Sequence, residues 1–293
     1  MVKLESVTTH TVADTSLLKI NRSANVGGIS LENYSIAIDS SSAYETGKAF
    51  RQQLEAFFNL PVRYLFLTHT HTDHRNGLNA FKDVTLIANQ KCIKNMPKNV
   101  KLKNFTIKSF DKQFLIEDND LRVEFHYVGG HTIGSSVAYF PHEKVLFGGD
   151  LFFTGGVNFN LPFLKFYQNK SYNSLGKKSG NPDEYINAFE KFNSMDIEII
   201  VPGHGDVVFT PKELLNTQLI FFKSLRVFFI AAIEEKKGLK DIELPKLELI
   251  NQAFARIEEL PPNKKHRDKV WLDNYLNILK TCFYDYYKNE TKS

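Results

Sequence analysis

His69-Thr70-His71-Thr72-Asp73-His74 places three imidazoles and a carboxylate within six residues, a density of donors that is hard to bury without a cation to hold. The stretch before it, Val62-Arg63-Tyr64-Leu65-Phe66-Leu67, is apolar and β-favouring, which predicts a buried strand that runs out into a loop at the histidines. Two residues apart in extended chain, His69 and His71 point to the same side. Asp73 and His74 follow in a turn that can start a helix and reach a second, neighbouring point. One short loop can therefore serve two cations. A lone H-x-H would read equally well as solvated loop histidines.

Three more polar residues are read at strand ends, each beside glycine. His131 lies in Gly129-Gly130-His131-Thr132-Ile133-Gly134-Ser135-Ser136, after an apolar strand over 121–128. Asp150 closes Lys144-Val145-Leu146-Phe147-Gly148-Gly149-Asp150, and His204 closes the run from Ile197 before Gly205. Ser135 and Ser136 are not read as nucleophiles, because no G-x-S-x-G turn surrounds them.

The ordered set H-x-H-x-D-H, G-H-T-x-G-S, G-G-D and P-G-H-G resembles that of the metallo-β-lactamase-fold hydrolases, over roughly the first 210 residues. The resemblance implies that His69, His71 and His131 bind one metal, that Asp73, His74 and His204 bind another, and that Asp150 bridges them. It makes Asp73 and Asp150 the catalytic carboxylates and matches Asp39, after the strand over 34–38, to an acidic residue that supports the site. Antibiotic-degrading members usually lack the bridging Asp, and some use a Cys ligand; here Cys92 and Cys282 lie outside every motif. Flavin-linked diiron members carry Glu where this chain has His71. The resemblance therefore points to the glyoxalase II, lactonase and thioesterase-like branch. The implied activity is attack of a metal-bound hydroxide on an ester, thioester or lactone carbonyl. The competing readings are a mononuclear iron persulfide dioxygenase, a phosphodiesterase or nuclease, and a non-catalytic metal-holding module.

Neutral imidazoles leave a cation most of its charge, which lowers the pKa of bound water from about 15.7 to about 7. The implied cofactors are two divalent ions; imidazole favours zinc, and the same donors accept iron or manganese. After Asp150 the chain is aromatic-rich, with Phe159, Phe163, Phe166, Tyr167 and Tyr172 available to wall an apolar pocket or orient a carbonyl.

The 293 residues are 42% hydrophobic and 24% charged, enough to bury a large core. A net charge of +4 with scattered lysines predicts no nucleic-acid partner, and the resemblance implies a small-molecule substrate. Residues 1–20 contain no apolar signal core, and two distant cysteines form no disulfide framework, so a cytoplasmic location is expected.

The resemblance implies an α+β fold, an αββα four-layer metallo-β-lactamase sandwich, and the pattern beyond His204 adds a helical C-terminal extension. Residues 1–209 are expected to form the catalytic domain and 210–293 the helical extension packed on it. Strands are read at 17–20, 26–31, 34–38, 62–67, 84–88, 105–107, 113–116, 121–128, 137–140 and 145–147. A helix is expected after a capping box at Ser42 and Glu45, with Phe50, Leu54, Phe57 and Phe58 on one face. Another opens at Asn181-Pro182-x-Glu184 and turns Tyr185, Ile186, Phe189 and Phe192 inward. Thr210-Pro211-Lys212-Glu213 caps a third, whose apolar run is interrupted by Lys223 and Arg226 and reads as too short for a membrane span. Helices over 246–259 and 269–288 complete the tail, which could cap the site or pair two subunits as a homodimer.

Overall fold

A computed structural model describes residues 2–17, 24–154 and 181–290. Seven strands form one sheet in chain order: β1 (Glu5–Ser6), β2 (Thr11–Asp14), β3 (Val26–Ser30), β4 (Ser35–Ile38), β5 (Val62–Phe66), β6 (Thr85–Asn89) and β7 (Thr106–Phe110). The second sheet contains β8 (Gln113–Asp118), β9 (Leu121–Tyr127), β10 (Ser136–Phe140), β11 (Val145–Phe153), β12 (Ile199–His204) and β13 (Val208–Phe209), also as sequential neighbours. The helices are α1 (Tyr44–Phe58), α2 (Thr72–Arg75), α3 (Gln90–Lys94), α4 (Pro182–Ser194), α5 (Lys212–Glu234), α6 (Glu248–Glu258) and α7 (Pro262–Glu290).

Period-two burial explains the layering. Ile29, Ile36, Ile38, Phe66 and Ile87 of the first sheet meet Val123, Phe125, Phe140, Val145 and Phe147 of the second in one apolar cluster. On the outer face of the first sheet, Leu65, Leu86 and Ala88 pack with Phe50 and Leu54 of α1. On the outer face of the second, Val137, Leu146 and Phe152 share a cluster with residues of α4, α5, α6 and α7. The expected αββα sandwich is therefore present, with the C-terminal helices in its fourth layer.

Strand direction delivers the polar residues to one edge. β4, β5 and β6 run parallel, so the segments after β4 and β5 emerge together carrying Asp39 and the histidine hexapeptide. β11 and β12 are also parallel, and Ser136 N donates to Thr68 O at 3.0 Å, joining the loops of the two sheets.

Several boundaries differ from the sequence reading. β11 does not stop at Phe147 but runs to Phe153, so Asp150 sits inside a strand; the register with β12 slips on both sides of Gly149. Gly149, at φ 52°, takes up the left-handed step that this irregularity needs. The N-cap of α1 is Ala43 without a side-chain cap bond, one residue later than the expected box, and Phe57 is 48% exposed. Pro211 is the N-cap of α5 and also makes no side-chain cap bond, while the Thr210 hydroxyl donates to Phe209 O. α4 starts as predicted, with Asn181 Oδ1 accepting from Glu184 N and Tyr185, Ile186, Phe189 and Phe192 buried. The pocket segment after Gly155 and the strand expected at 17–20 beyond Leu17 lie outside the described residues.

By length and composition α5 is long and apolar enough to cross a membrane, contrary to the expectation from its charged interruptions. In this fold its Phe221, Phe222, Leu225 and Phe229 are buried; Phe222 stacks on Tyr185 of α4 at 4.6 Å between ring centroids and on Phe283 of α7 at 5.9 Å.

Beneath α4, His126 of β9 is buried with Nε2 3.0 Å from Glu124 Oε2, while its Nδ1 meets no partner among the described residues. Burial, reinforced by the Lys191 ammonium, holds this imidazole below its ordinary range. The unfolded chain then takes up a proton here before the folded one, so stability is full above about pH 6.5 and declines as pH falls below it. His126→Gln is expected to flatten the drop in thermal midpoint between about pH 7 and about pH 5. An unchanged drop would assign the acid sensitivity to other groups.

Candidate metal centre

The hexapeptide leaves β5 in extended chain and then folds into the single turn of α2, with His71 as its N-cap. This change of backbone at His71 divides the donors. His69, His71, His131 and Asp150 each offer one ligand atom, all within 4.8 Å of one another, and Asp73, His74 and His204 form a second such group. The structure thus brings together all seven residues selected from the sequence.

In the first group, His71 Nδ1 lies 2.9 Å from both His69 Nε2 and His131 Nε2. One ring nitrogen can share only one proton, so three nitrogens converging in this way suit a common cation. Tetrahedral zinc–imidazole bonds of about 2.0–2.1 Å separate ligand nitrogens by about 3.3 Å, close to this spacing. In the second group, His204 Nε2 is 3.1 Å and His74 Nε2 3.9 Å from Asp73 Oδ2.

Asp150 lies between the groups and faces each with a different oxygen. Its Oδ2 is 3.2 Å from His131 Nε2 and 3.6 Å from His69 Nε2; its Oδ1 is 2.9 Å from His74 Nε2 and 3.4 Å from His204 Nε2. His74 Nε2 and Asp150 Oδ1 are buried and make no hydrogen bond among the described residues, despite their proximity. Buried polar atoms left in this state are costly, and a divalent cation between them would satisfy both. Gly203 makes the approach possible, since a Cβ there would run into Asp150 Oδ1. The donor set of five imidazoles and two carboxylates fits two divalent ions.

Asp39 anchors the other side of this cluster. Its Oδ1 accepts from Thr68 N at 2.8 Å, and its Oδ2 lies 2.8 Å from the Thr68 hydroxyl and 2.6 Å from His74 Nδ1. Thr68 Oγ1 is in turn 3.0 Å from His69 Nδ1. One buried carboxylate therefore aims two histidines, one in each group, a role that fixes ring orientation in metal sites. The sequence reading placed Asp39 correctly and missed Thr68, although Thr68 directly precedes the motif.

The charges of the cluster are strongly coupled. Burial alone would push the Asp150 carboxyl up, but His74, His204 and His69 hold it well below the usual carboxylate range. Burial disfavours the charged form of His74, yet Asp150 and Asp39 raise it well above the ordinary imidazole value. His69 goes the other way, lowered by burial and by the neighbouring His74. Asp73 is raised by burial but brought to about 2 by its hydrogen bond with His204. Both carboxylates are thus anionic at neutral pH, as cation binding requires.

The loop before His131 has its own clamp. Glu184 Oε2 accepts from Gly130 N at 3.1 Å, and Glu184 Oε1 accepts from the Tyr127 hydroxyl at 2.9 Å. Asn181-x-x-Glu184 has the form of a capping box; its carboxylate is instead spent on the histidine loop, which no local pattern would reveal.

A two-sheet αββα sandwich with a divided His/Asp cluster at one edge defines a metallohydrolase-type scaffold. A family model described as the metallo-beta-lactamase superfamily matches residues 23–204, and the chain belongs to that superfamily. It is 27% identical over 177 residues to hydroxyacylglutathione hydrolase of Bartonella quintana (strain Toulouse), covering 58% of each chain. It is 29% identical over 169 residues to metallo-beta-lactamase IND-1 of Chryseobacterium indologenes, covering 54% of this chain and 64% of that one. This chain therefore spans less than two thirds of either relative's length. Among solved structures, a metallo-beta-lactamase from Pontibacter korlensis superposes with a TM-score of 0.57 at 18% identity, covering 76% of this chain and 99% of its own. The sec-alkylsulfatase Pisa1 from Pseudomonas sp. gives a TM-score of 0.63 at 14% identity over 85% of this chain and 46% of its own. At such identities the likeness is one of fold.

Proposed function

We propose that this protein is a dinuclear metal-dependent hydrolase of an ester, thioester or lactone carbonyl in a small-molecule substrate. The observation that supports it most is the carboxylate of Asp150, whose two oxygens face two separate donor groups. His69, His71 and His131 with Asp150 Oδ2 would hold one cation, and Asp73, His74 and His204 with Asp150 Oδ1 the other. A bound pair of divalent ions supplies a nucleophile from water at neutral pH and stabilises developing negative charge.

The chain's own residues do the rest. Asp73 is the more exposed of the two carboxylates, with its side chain 24% accessible against 4% for Asp150. Being ionised, it can accept a hydrogen bond from the attacking water and orient it towards the carbonyl. Asp39 and Thr68 keep the imidazoles of His69 and His74 aimed while the charge at the centre changes. The similarity to a hydroxyacylglutathione hydrolase supports a thioester among the substrates. The imidazole-rich donors favour zinc. A cytoplasmic location, and pairing of two copies that would cover Ile220 and Val227 on the exposed side of α5, belong to the same reading.

Metal analysis of the purified protein is expected to give about two equivalents per chain, with turnover on a panel of thioesters, lactones and esters that a chelator abolishes and zinc restores. A single iron per chain, with oxygen consumption on a persulfide, would replace this reading by a dioxygenase.

A further inference from the structure

Asn25, immediately before β3, is 4% exposed and far in sequence from every candidate ligand. Its side-chain amide donates to Pro202 O at 2.9 Å and to Gly205 O at 2.9 Å, and its backbone N donates to Gly203 O at 2.8 Å. Three hydrogen bonds from one residue thus hold the loop on both sides of His204. Asn25 lines a small cavity of about 10 Å³ together with Asp39, Thr68 and Gly203.

His204 depends on this support more than His69 and His74 do. Metal-binding histidines usually fix the ring by a hydrogen bond from the nitrogen that does not bind. His69 has Thr68 and His74 has Asp39 for this purpose. His204 Nδ1 is buried and meets no partner among the described residues, and its ring stacks on Phe153 at 4.3 Å between centroids. Stacking limits tilt but permits sliding within the ring plane. The direction of Nε2 therefore comes from the backbone, which is held from one side by Thr154 N donating to His204 O at 3.0 Å and from the other by Asn25.

We infer that Asn25 is a positioning residue that selectively sets the affinity of the second cation position, the one built from Asp73, His74 and His204. This rests on the two-cation reading above. Asn25→Asp preserves volume but sets an anionic carboxylate against two carbonyl oxygens. Asn25→Ser keeps one short donor.

Zinc titration against a chelator series, with metal content after desalting, tests this on full-length protein. The wild-type chain should retain two equivalents. Asn25→Asp should keep the first at wild-type affinity and weaken the second by about 10–100-fold, with Asn25→Ser falling between the two. The retained first equivalent itself reports that the variant is folded. Two equivalents at unchanged affinity in Asn25→Asp, or equal weakening of both, would overturn the inference while leaving the two-cation reading standing. Fewer than two equivalents in the wild-type chain would overturn both.

Discussion

Asp150→Asn is expected to empty both cation positions and to reduce hydrolysis by far more than the about 10–100-fold typical of losing a residue behind the ligands. The substitution keeps the shape of the side chain. It replaces one oxygen by an amide that offers no lone pair, so one group loses a donor outright, and it removes the negative charge from both. Two dications at the usual spacing of about 3.5–4 Å repel by on the order of 15 kcal/mol even at an effective dielectric of about 20. Asp150, at 3.2 Å from His131 Nε2 and 2.9 Å from His74 Nε2, faces both groups and so offsets that repulsion from both sides, whereas Asp73 belongs to the second group alone. The check is metal content and turnover of the purified variant together. Two retained equivalents with turnover near wild type would show that Asp150 does not join the groups.

The contrast with His71→Ala makes the test specific. His71 belongs to one group only, so its loss should weaken one position first and leave measurable binding at the other, whereas Asp150→Asn should leave neither at wild-type strength.

What the sequence disclosed and what it concealed follow the range of the interactions. The hexapeptide was legible because a buried strand, a turn and four donors all fall within about a dozen consecutive residues, and each later ligand carried a local glycine signature. Asp150 is legible as a donor, but its strand reads as ending at Phe147, because the pair Gly148-Gly149 looks like a terminus when only the neighbours are seen. Parallel pairing with β12 is what allows the chain to pass through a left-handed step at Gly149 and continue to Phe153. Asn25 gave no signal at all: its partner Pro202 is 177 residues away. The capping boxes at Ser42 and Thr210 are not where the helices begin. The N-caps are Ala43 and Pro211 instead, and Thr210 sits at φ 58°, outside the extended conformation that an N-cap residue takes.

Removal of residues 210–293 is expected to leave a chain that does not fold cooperatively, although the proposed ligands all precede the cut. The second sheet turns Val137, Leu146 and Phe152 outward, and α4 adds Tyr185, Phe189 and Phe192; the same cluster is closed by Phe221, Phe222, Leu225 and Phe229 of α5 and Leu279 and Phe283 of α7. Losing one buried Phe in such a core costs about 3–5 kcal/mol, and whole domains are stable by only about 5–15 kcal/mol. Deleting several at once exceeds that margin. The tail also touches the centre indirectly. Tyr286 and Tyr287 hydroxyls donate to the Asp183 carboxylate at 3.0 and 2.8 Å, fastening the start of α4, and the adjacent Glu184 holds Gly130 before His131. Truncated protein should therefore bind a hydrophobic dye, lose near-ultraviolet circular dichroism and fail to retain zinc. A soluble fragment with a sharp thermal transition and two bound equivalents would instead make the helices an accessory domain, and the fourth layer of the sandwich would then be complete with α4 alone.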